Sequence, residues 1–192
     1  MNRHITITGE LGSGKSTVAK LVAEQLGFAF FSTGDAHRQL AEKLHITTLQ
    51  LNERALTDKS IDQQIDGQFQ ALENQDTPYV VDSRLAFHFL PNSFKVMLTV
   101  EPLVGAQRIM NAQRSSEAVY TDVQACLKAN ETRRKIEKQR FMDLYGVDIS
   151  DKNAFDYVLD TTNQTPEDTA KSLIFQYKQH LNHSNETFCY NP

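Results

Sequence analysis

Long apolar runs are missing from this chain of 192 residues: no stretch approaches the roughly 20 consecutive apolar residues of a membrane-spanning helix, and the first residues enter a strand pattern without a cleavable apolar leader. A membrane partner and a secretion route are therefore not expected, and the sequons at Asn130 and Asn163 carry no meaning. Cysteine is nearly absent. Cys126 and Cys189 are too few and too far apart for a disulfide framework or a metal-ligand spacing, which fits a reducing cytoplasm. The six histidines contain no H-x-x-x-H pair, so a zinc site is not expected either. An excess of positive charge is also lacking. With 20 basic and 24 acidic side chains the net charge is -4, so no global field recruits nucleic acid, and an anionic ligand has to be met by locally clustered cations.

What remains is an ordinary soluble composition, 40% hydrophobic and 23% charged, in a length that suits one α/β domain and is too short for two. A single domain is expected over residues 1–181, followed by a polar, aperiodic tail over 182–192. No internal repeat or low-complexity segment interrupts it.

One stretch organises the rest. Gly9, Glu10, Leu11, Gly12, Ser13, Gly14, Lys15 and Ser16 fill every fixed position of G-x-x-x-x-G-K-[ST], and Thr17 follows in the same turn. Glycines let the backbone take loop conformations that a Cβ forbids, so successive N–H groups converge on one anion. Lys15 supplies a mobile ammonium for phosphate oxygens, and the Ser16 hydroxyl is suited to ligate Mg²⁺. The flanks fit. Ile5, Thr6, Ile7 and Thr8 read as a buried strand before the loop, and Val18, Leu21, Val22 and Leu26 mark a helix face after it, stopped by Gly27. Strand, loop and helix in that order place the loop at a helix N-terminus, where unpaired N–H groups and the helix dipole favour an anion.

Further strands are expected at residues 28–31, 79–81, 94–100 and 157–159, five in all alternating with helices. Ser32, Thr33, Gly34 and Asp35 form a turn with helix-capping chemistry, leading into a helix that carries Arg38. Within residues 47–74 a narrow stripe of Ile61, Ile65, Phe69 and Leu72 suggests a helical insertion over the core edge, with Asp62 and Asp66 on a solvated face. Asp82, Ser83 and Arg84 close the third strand. In an open parallel sheet that end faces the same crevice as the glycine loop, so Asp82 is a candidate Mg²⁺ ligand. Residues 103–145 are the most basic part, with Arg133 and Arg140 seven apart on one helix face, and a mobile arginine lid is preferred to a merely solvated face. Thr165, Pro166, Glu167 and Asp168 start the last helix. A GTPase switch is disfavoured: no N-K-x-D follows the fourth strand, and Asp143 to Gly146 fits D-x-x-G only inside a helix.

With these residues in place the chain resembles the nucleoside monophosphate kinases, and most closely the short archaeal-type cytidylate kinases, from about residue 5 to about residue 174. Besides the loop, the resemblance rests on residues 32–35 with Arg38, 60–66, 82–86, 140–149 and 157–162. It implies a P-loop NTPase-type three-layer sandwich with a five-stranded parallel sheet, a nucleoside monophosphate-binding insertion at about 45–76 and a basic helical lid at about 108–145. It further implies use of ATP and Mg²⁺ to phosphorylate a monophosphate, most closely CMP or dCMP, by a cytoplasmic monomer; the alternatives are a kinase for another small phosphorylated acceptor and a non-catalytic ATP-binding regulatory module. Thr33, Gly34, Asp35, Arg38 and Arg84 would hold the acceptor, Thr161 and Thr162 would lie near adenine, and Lys15, Arg84, Arg108, Arg133 and Arg140 would act on the transferring phosphoryl group. Four places depart from the family: Glu10 stands for a common proline, Ser83 for a frequent glycine, Ile136 for a small polar residue, and residues 111–113 lack an expected arginine, so that either Arg114 takes its place or the lid is weaker.

Overall fold

The computed structural model describes residues 3–46, 48–55, 58–112 and 120–188. Its elements in chain order are β1 (Ile5–Gly9), α1 (Lys15–Leu26), β2 (Ala29–Ser32), α2 (Thr33–Lys43), α3 (Thr48–Ala55), α4 (Lys59–Glu73), β3 (Tyr79–Asp82), α5 (Ala86–Phe89), β4 (Phe94–Thr99), α6 (Pro102–Ala112), α7 (Val123–Tyr145), β5 (Tyr157–Asp160) and α8 (Pro166–Phe188). The strands form one parallel sheet in the order β2-β3-β1-β4-β5. β1 is thus central, and the loop that follows it opens between the ends of β3 and β4, the crevice where such sheets bind ligands.

Alternation along β1 divides its side chains between two layers. Ile5 and Ile7 are fully buried with Val18 and Val22 of α1 and Leu173 and Tyr177 of α8. Thr6 and Thr8 point the other way, equally buried, and their hydroxyls are satisfied: Thr6 Oγ1 lies 3.0 Å from Ser93 Oγ, and Thr8 Oγ1 donates to the Ser83 carbonyl at 3.1 Å. On that second face Phe69 and Leu72 of α4 pack with Val81, Ala86 and Leu90. Phe141 and Tyr145 of α7 join Leu85, Phe87 and Ile149 there. A sheet covered by helices on both faces is the expected three-layer sandwich.

The α4 stripe is split. Phe69 and Leu72 reach the sheet, whereas Ile61 packs with Ala41, Leu51 and Ala55 in a separate cluster formed by α2, α3 and α4, which keeps the insertion apart from the main core. The Ile65 side chain lies outside the described residues, as do Arg114 and Cys189. The tail begins later than periodicity suggested. α8 continues through Phe188, past residue 182, because helix propagation adds one backbone bond per residue and neither proline nor glycine intervenes. Its start matches expectation, with the Asp168 N–H donating to Thr165 Oγ1 at 3.1 Å. Among the described residues no helix is long and apolar enough to cross a membrane.

His4 fastens β1 to the far end of α4. The Tyr79 N–H donates to its Nδ1 at 3.0 Å, so Nε2 carries the proton that reaches the Leu72 carbonyl at 3.0 Å, and the ring is neutral. Burial at 1% exposure lowers its pKa below the ordinary 6.5, outweighing the Leu72 bond and nearby Glu73, both of which favour the charged form. A depressed histidine pKa contributes stability that is complete above 6.5 and declines as the pH falls below it, because the unfolded chain takes up the proton first. Thermal unfolding followed between pH 8 and about pH 5 should show a melting temperature that falls on the acid side. His4→Gln should flatten that fall, and an unchanged acid slope in the variant would exclude this account.

Candidate active site

The phosphate loop has the geometry its glycines predict. Gly12 and Gly14 both have φ of 80°, and Gly14 caps α1 without any side-chain hydrogen bond, so the N–H groups of the first helical turn are left for a ligand. The loop is braced from the side. A Cβ on Gly12 would stand 2.2 Å from the Gly105 carbonyl oxygen, and one on Gly105 would stand 2.6 Å from the Leu11 oxygen, so loop and α6 touch backbone to backbone. Gly105 was not singled out from the sequence: it sits in an ordinary helical pattern, and only the approach of the loop gives it meaning.

Across the crevice, the end of β3 presents Asp82 and Arg84 as expected. Asp82, 3% exposed, pairs with the Lys15 ammonium. Burial lowers the Lys15 pKa; Asp82 counters this, and nearby Arg84 adds to it. Asp82 is not the helix cap of this turn, since Ser83 Oγ accepts the Leu85 N–H at 3.2 Å. The Arg84 guanidinium donates to the Gly9 carbonyl at 3.0 Å, and its Nε lies 2.8 Å from Glu137 of α7 in an ion pair. Lys15, Asp82, Arg84 and the loop therefore share one site.

The lid arginines are distributed more widely than their common spacing suggested. Arg133 donates from Nε to Glu137 at 2.9 Å, Arg134 pairs with Glu10 at 3.0 Å, and Arg140 pairs with Asp62 of α4. Arg108 turns to the other side of the loop. Its guanidinium donates to the carbonyls of Thr161 at 2.8 Å and Thr162 at 3.1 Å, and reaches Gly12 at 3.5 Å. Thr161 Oγ1 lies 3.1 Å from the Ser13 carbonyl, so the β5–α8 loop leans on the phosphate loop. Arg38 pairs with Asp35 in the first turns of α2, where Thr33 Oγ1 donates to the Asp82 carbonyl at 3.4 Å. Among the described contacts Arg38 meets neither Lys15 nor Arg84. The solvated face expected for Asp62 and Asp66 is corrected: Asp62 holds Arg140, and Asp66 accepts from the Tyr145 hydroxyl at 2.7 Å. Burial raises the pKa of both Asp66 and Tyr145, and Asp66 raises that of Tyr145 further, so the hydroxyl stays a donor. Glu137 was missed altogether, because nothing in the sequence sets it apart from Glu131 and Asp143 on the same basic helix.

The donor set fits ATP and Mg²⁺. Open amides at the start of α1 beside Lys15 suit a polyphosphate. Among the described residues no three acidic, histidine or cysteine groups cluster, so a cation would rely on Ser16 and Asp82 with phosphate oxygens and water, as Mg²⁺ does.

Sheet order, loop and cation-lined crevice define a phosphate-loop kinase fold. A shikimate kinase from Aquifex aeolicus superposes with a TM-score of 0.58 at 13% identity, covering 93% of this chain and 98% of that one. The Cytidylate kinase-like family matches residues 4–163, and the chain belongs to it. A cytidylate kinase of Natronomonas pharaonis is 37% identical over 167 residues, 85% of this chain and 83% of that one. An S-adenosylmethionine-dependent nucleotide dehydratase of Lacinutrix mariniflava is 37% identical over 180 residues, 93% of this chain; the match spans only 37% of that longer protein.

The bracing of the loop yields a test. Gly105→Ala forces loop and α6 apart and should cost about 1–3 kcal/mol of stability together with ATP affinity. Gly67→Ala in α4, where a Cβ meets open space, should be neutral or add about 0.5–1 kcal/mol. Thermal melts and titration with a fluorescent ATP analogue read both, and equal behaviour of the two variants would refute the brace.

Proposed function

We propose that this chain catalyses ATP-dependent phosphoryl transfer to a nucleoside monophosphate, with CMP or dCMP as acceptor. The observation that carries the reading is Arg84: a guanidinium fixed at the end of β3, beside the Lys15–Asp82 pair and against the first glycine of the phosphate loop. A binder of ATP alone needs one anion site. A second cation on the neighbouring strand end gives the acceptor's phosphate a place in line with the donor.

The division of labour follows from charge. Loop amides and Lys15 hold the triphosphate, and Ser16 and Asp82 would hold a Mg²⁺ that neutralises its charge. Arg84 and Arg38, with the Thr33, Gly34 and Asp35 turn at the N-terminus of α2, hold the monophosphate. Arg133 and Arg140 on α7 close over the transferring group, where forked guanidinium groups match phosphate oxygens and exclude water. Arg108 acts from the adenine side, through the carbonyls of Thr161 and Thr162. Phosphoryl transfer asks for positioning and charge neutralisation, which is what these residues offer.

Family membership and the Natronomonas relative support cytidine monophosphate as acceptor. The Lacinutrix relative favours a context as well: a kinase-like segment within a longer protein named for a nucleotide dehydratase suits a kinase whose product feeds a nucleotide-consuming enzyme.

ADP release measured across the nucleoside monophosphates should be fastest with CMP or dCMP. Lys15→Ala should abolish ATP binding and turnover together. Arg84→Ala should keep ATP affinity within about threefold while turnover falls about 100-fold or more. Inactivity towards every monophosphate, with ATP still bound, would favour a non-catalytic nucleotide module, and preference for another phosphorylated small molecule would reassign the acceptor.

A further inference from the structure

Glu10 occupies a position at which the phosphate-loop pattern asks nothing of the side chain, yet both of its carboxylate oxygens are engaged. Oε2 accepts the Val100 N–H at 3.0 Å, and Oε1 lies 3.0 Å from Arg134 Nη1 on α7. Its backbone is fixed too, donating to the Leu98 carbonyl at 2.9 Å and accepting from the Ser13 N–H at 3.2 Å. The carboxylate is therefore a rigid post at the root of the loop, and Arg134 is tied to it.

What makes that tie consequential is how little else seats this part of α7. Of its 23 residues only Cys126 is buried. Beneath the helix lies a cavity of about 150 Å³, lined by Leu11, Met97, Val100, Leu127 and Ile149 and rimmed by Arg84, Glu10 and Arg134. Apolar packing seats α7 only towards its ends, at Cys126 and at Phe141 and Tyr145, so between them its height over the phosphate loop depends on ion pairs. Arg134, Glu137 and Arg140 are successive steps of three along one side of the helix, and they meet Glu10, Arg84 and Asp62 respectively.

We propose that Glu10 is a positioning residue: through Arg134 it seats α7 on the phosphate loop, and so sets where Arg133, Glu137 and Arg140 stand relative to the transferring phosphoryl group. The catalytic consequence rests on the kinase reading; the seating does not. Arg134 is 54% exposed, so the tie is partly screened and its loss is modest.

Glu10→Gln keeps an acceptor for Val100 and removes the charge. At saturating CMP it should lower kcat about fivefold with the KM for ATP near that of the parent, and Arg134→Gln should do the same. The double variant should fall no further than either single one, and Arg134→Lys should recover most of the loss. Independently of turnover, amide exchange at residues 127–138 in the nucleotide-free protein should quicken about fivefold in both glutamine variants. Unchanged exchange, or losses that multiply in the double variant, would overturn the tie. Faster exchange with undiminished kcat would overturn the positioning role. A parent inert towards all monophosphates whose exchange still responds would remove the kinase reading and confine Glu10 to seating the helix.

Discussion

Five cations of the crevice are each held by a carboxylate, and the rest of the site depends on that pairing. Lys15 has Asp82, Arg84 has Glu137, Arg134 has Glu10, Arg140 has Asp62 and Arg38 has Asp35. A chain of net charge -4 can gather this many cations only by interleaving acids among them. The need is greatest at the centre, where Lys15 is largely buried beside Arg84, which disfavours its charge, while burial and nearby Arg133 and Arg134 disfavour that of Arg84. A buried ion pair adds little net stability once desolvation is counted, whereas an unpaired buried charge is costly. The acids therefore keep the cations charged and aimed, and present to each the oxygen geometry that a phosphate would later supply.

Placement of those pairs follows from the sheet. Ser32↔Asp82 and Ile7↔Asp82 register the ends of β2, β1 and β3, so Asp82 and the first turn of α2 stand in line, and the loop after Gly9 rises beside them. Gly9↔Leu98 continues the line to β4, where the Glu10 carboxylate takes over the Val100 N–H just beyond the last pairing. The departures from the family pattern sit comfortably on this frame. Ser83 is 3% exposed and spends its hydroxyl on the Leu85 N–H, and its carbonyl receives Thr8. Ile136 is 57% exposed, so its apolar side chain replaces no buried contact.

The strands and the loop were legible in the sequence because their signals are local. Ile5 and Ile7 alternate with Thr6 and Thr8, the glycines repeat at fixed spacing, and Ser32 and Thr165 cap the helices that follow them. What could not be read was pairing between distant elements. Asp62 and Asp66, one turn apart on a polar helix, look solvated until α7 is laid across them. Gly105 is unremarkable until the loop reaches it, and Glu137 is one of several acids on a basic helix. The four-residue helix α5 is too short to show a period, though its Ala86 and Phe87 are core. Arg108 shows the same limit in reverse: its charge suggested the lid, and carbonyls on the opposite side of the loop hold it.

Because α7 meets the phosphate loop, the β3 end and the insertion within a few turns, the three contacts cannot respond independently. Glu137 serves Arg84 and Arg133 at once, so a phosphate that draws off either arginine leaves the other with the whole carboxylate. Energies favour the exchange. An exposed pair such as that of Arg133 is worth about 0–1 kcal/mol and the largely buried one of Arg84 adds little once desolvation is counted, whereas a charge-assisted bond is worth about 1.5–3 kcal/mol. The carboxylates hold the cations tightly enough to orient them and weakly enough to yield them. A helix with one buried residue and several such pairs is then suited to settle on ligand at both ends, since breaking any one pair loosens the seat of its neighbours.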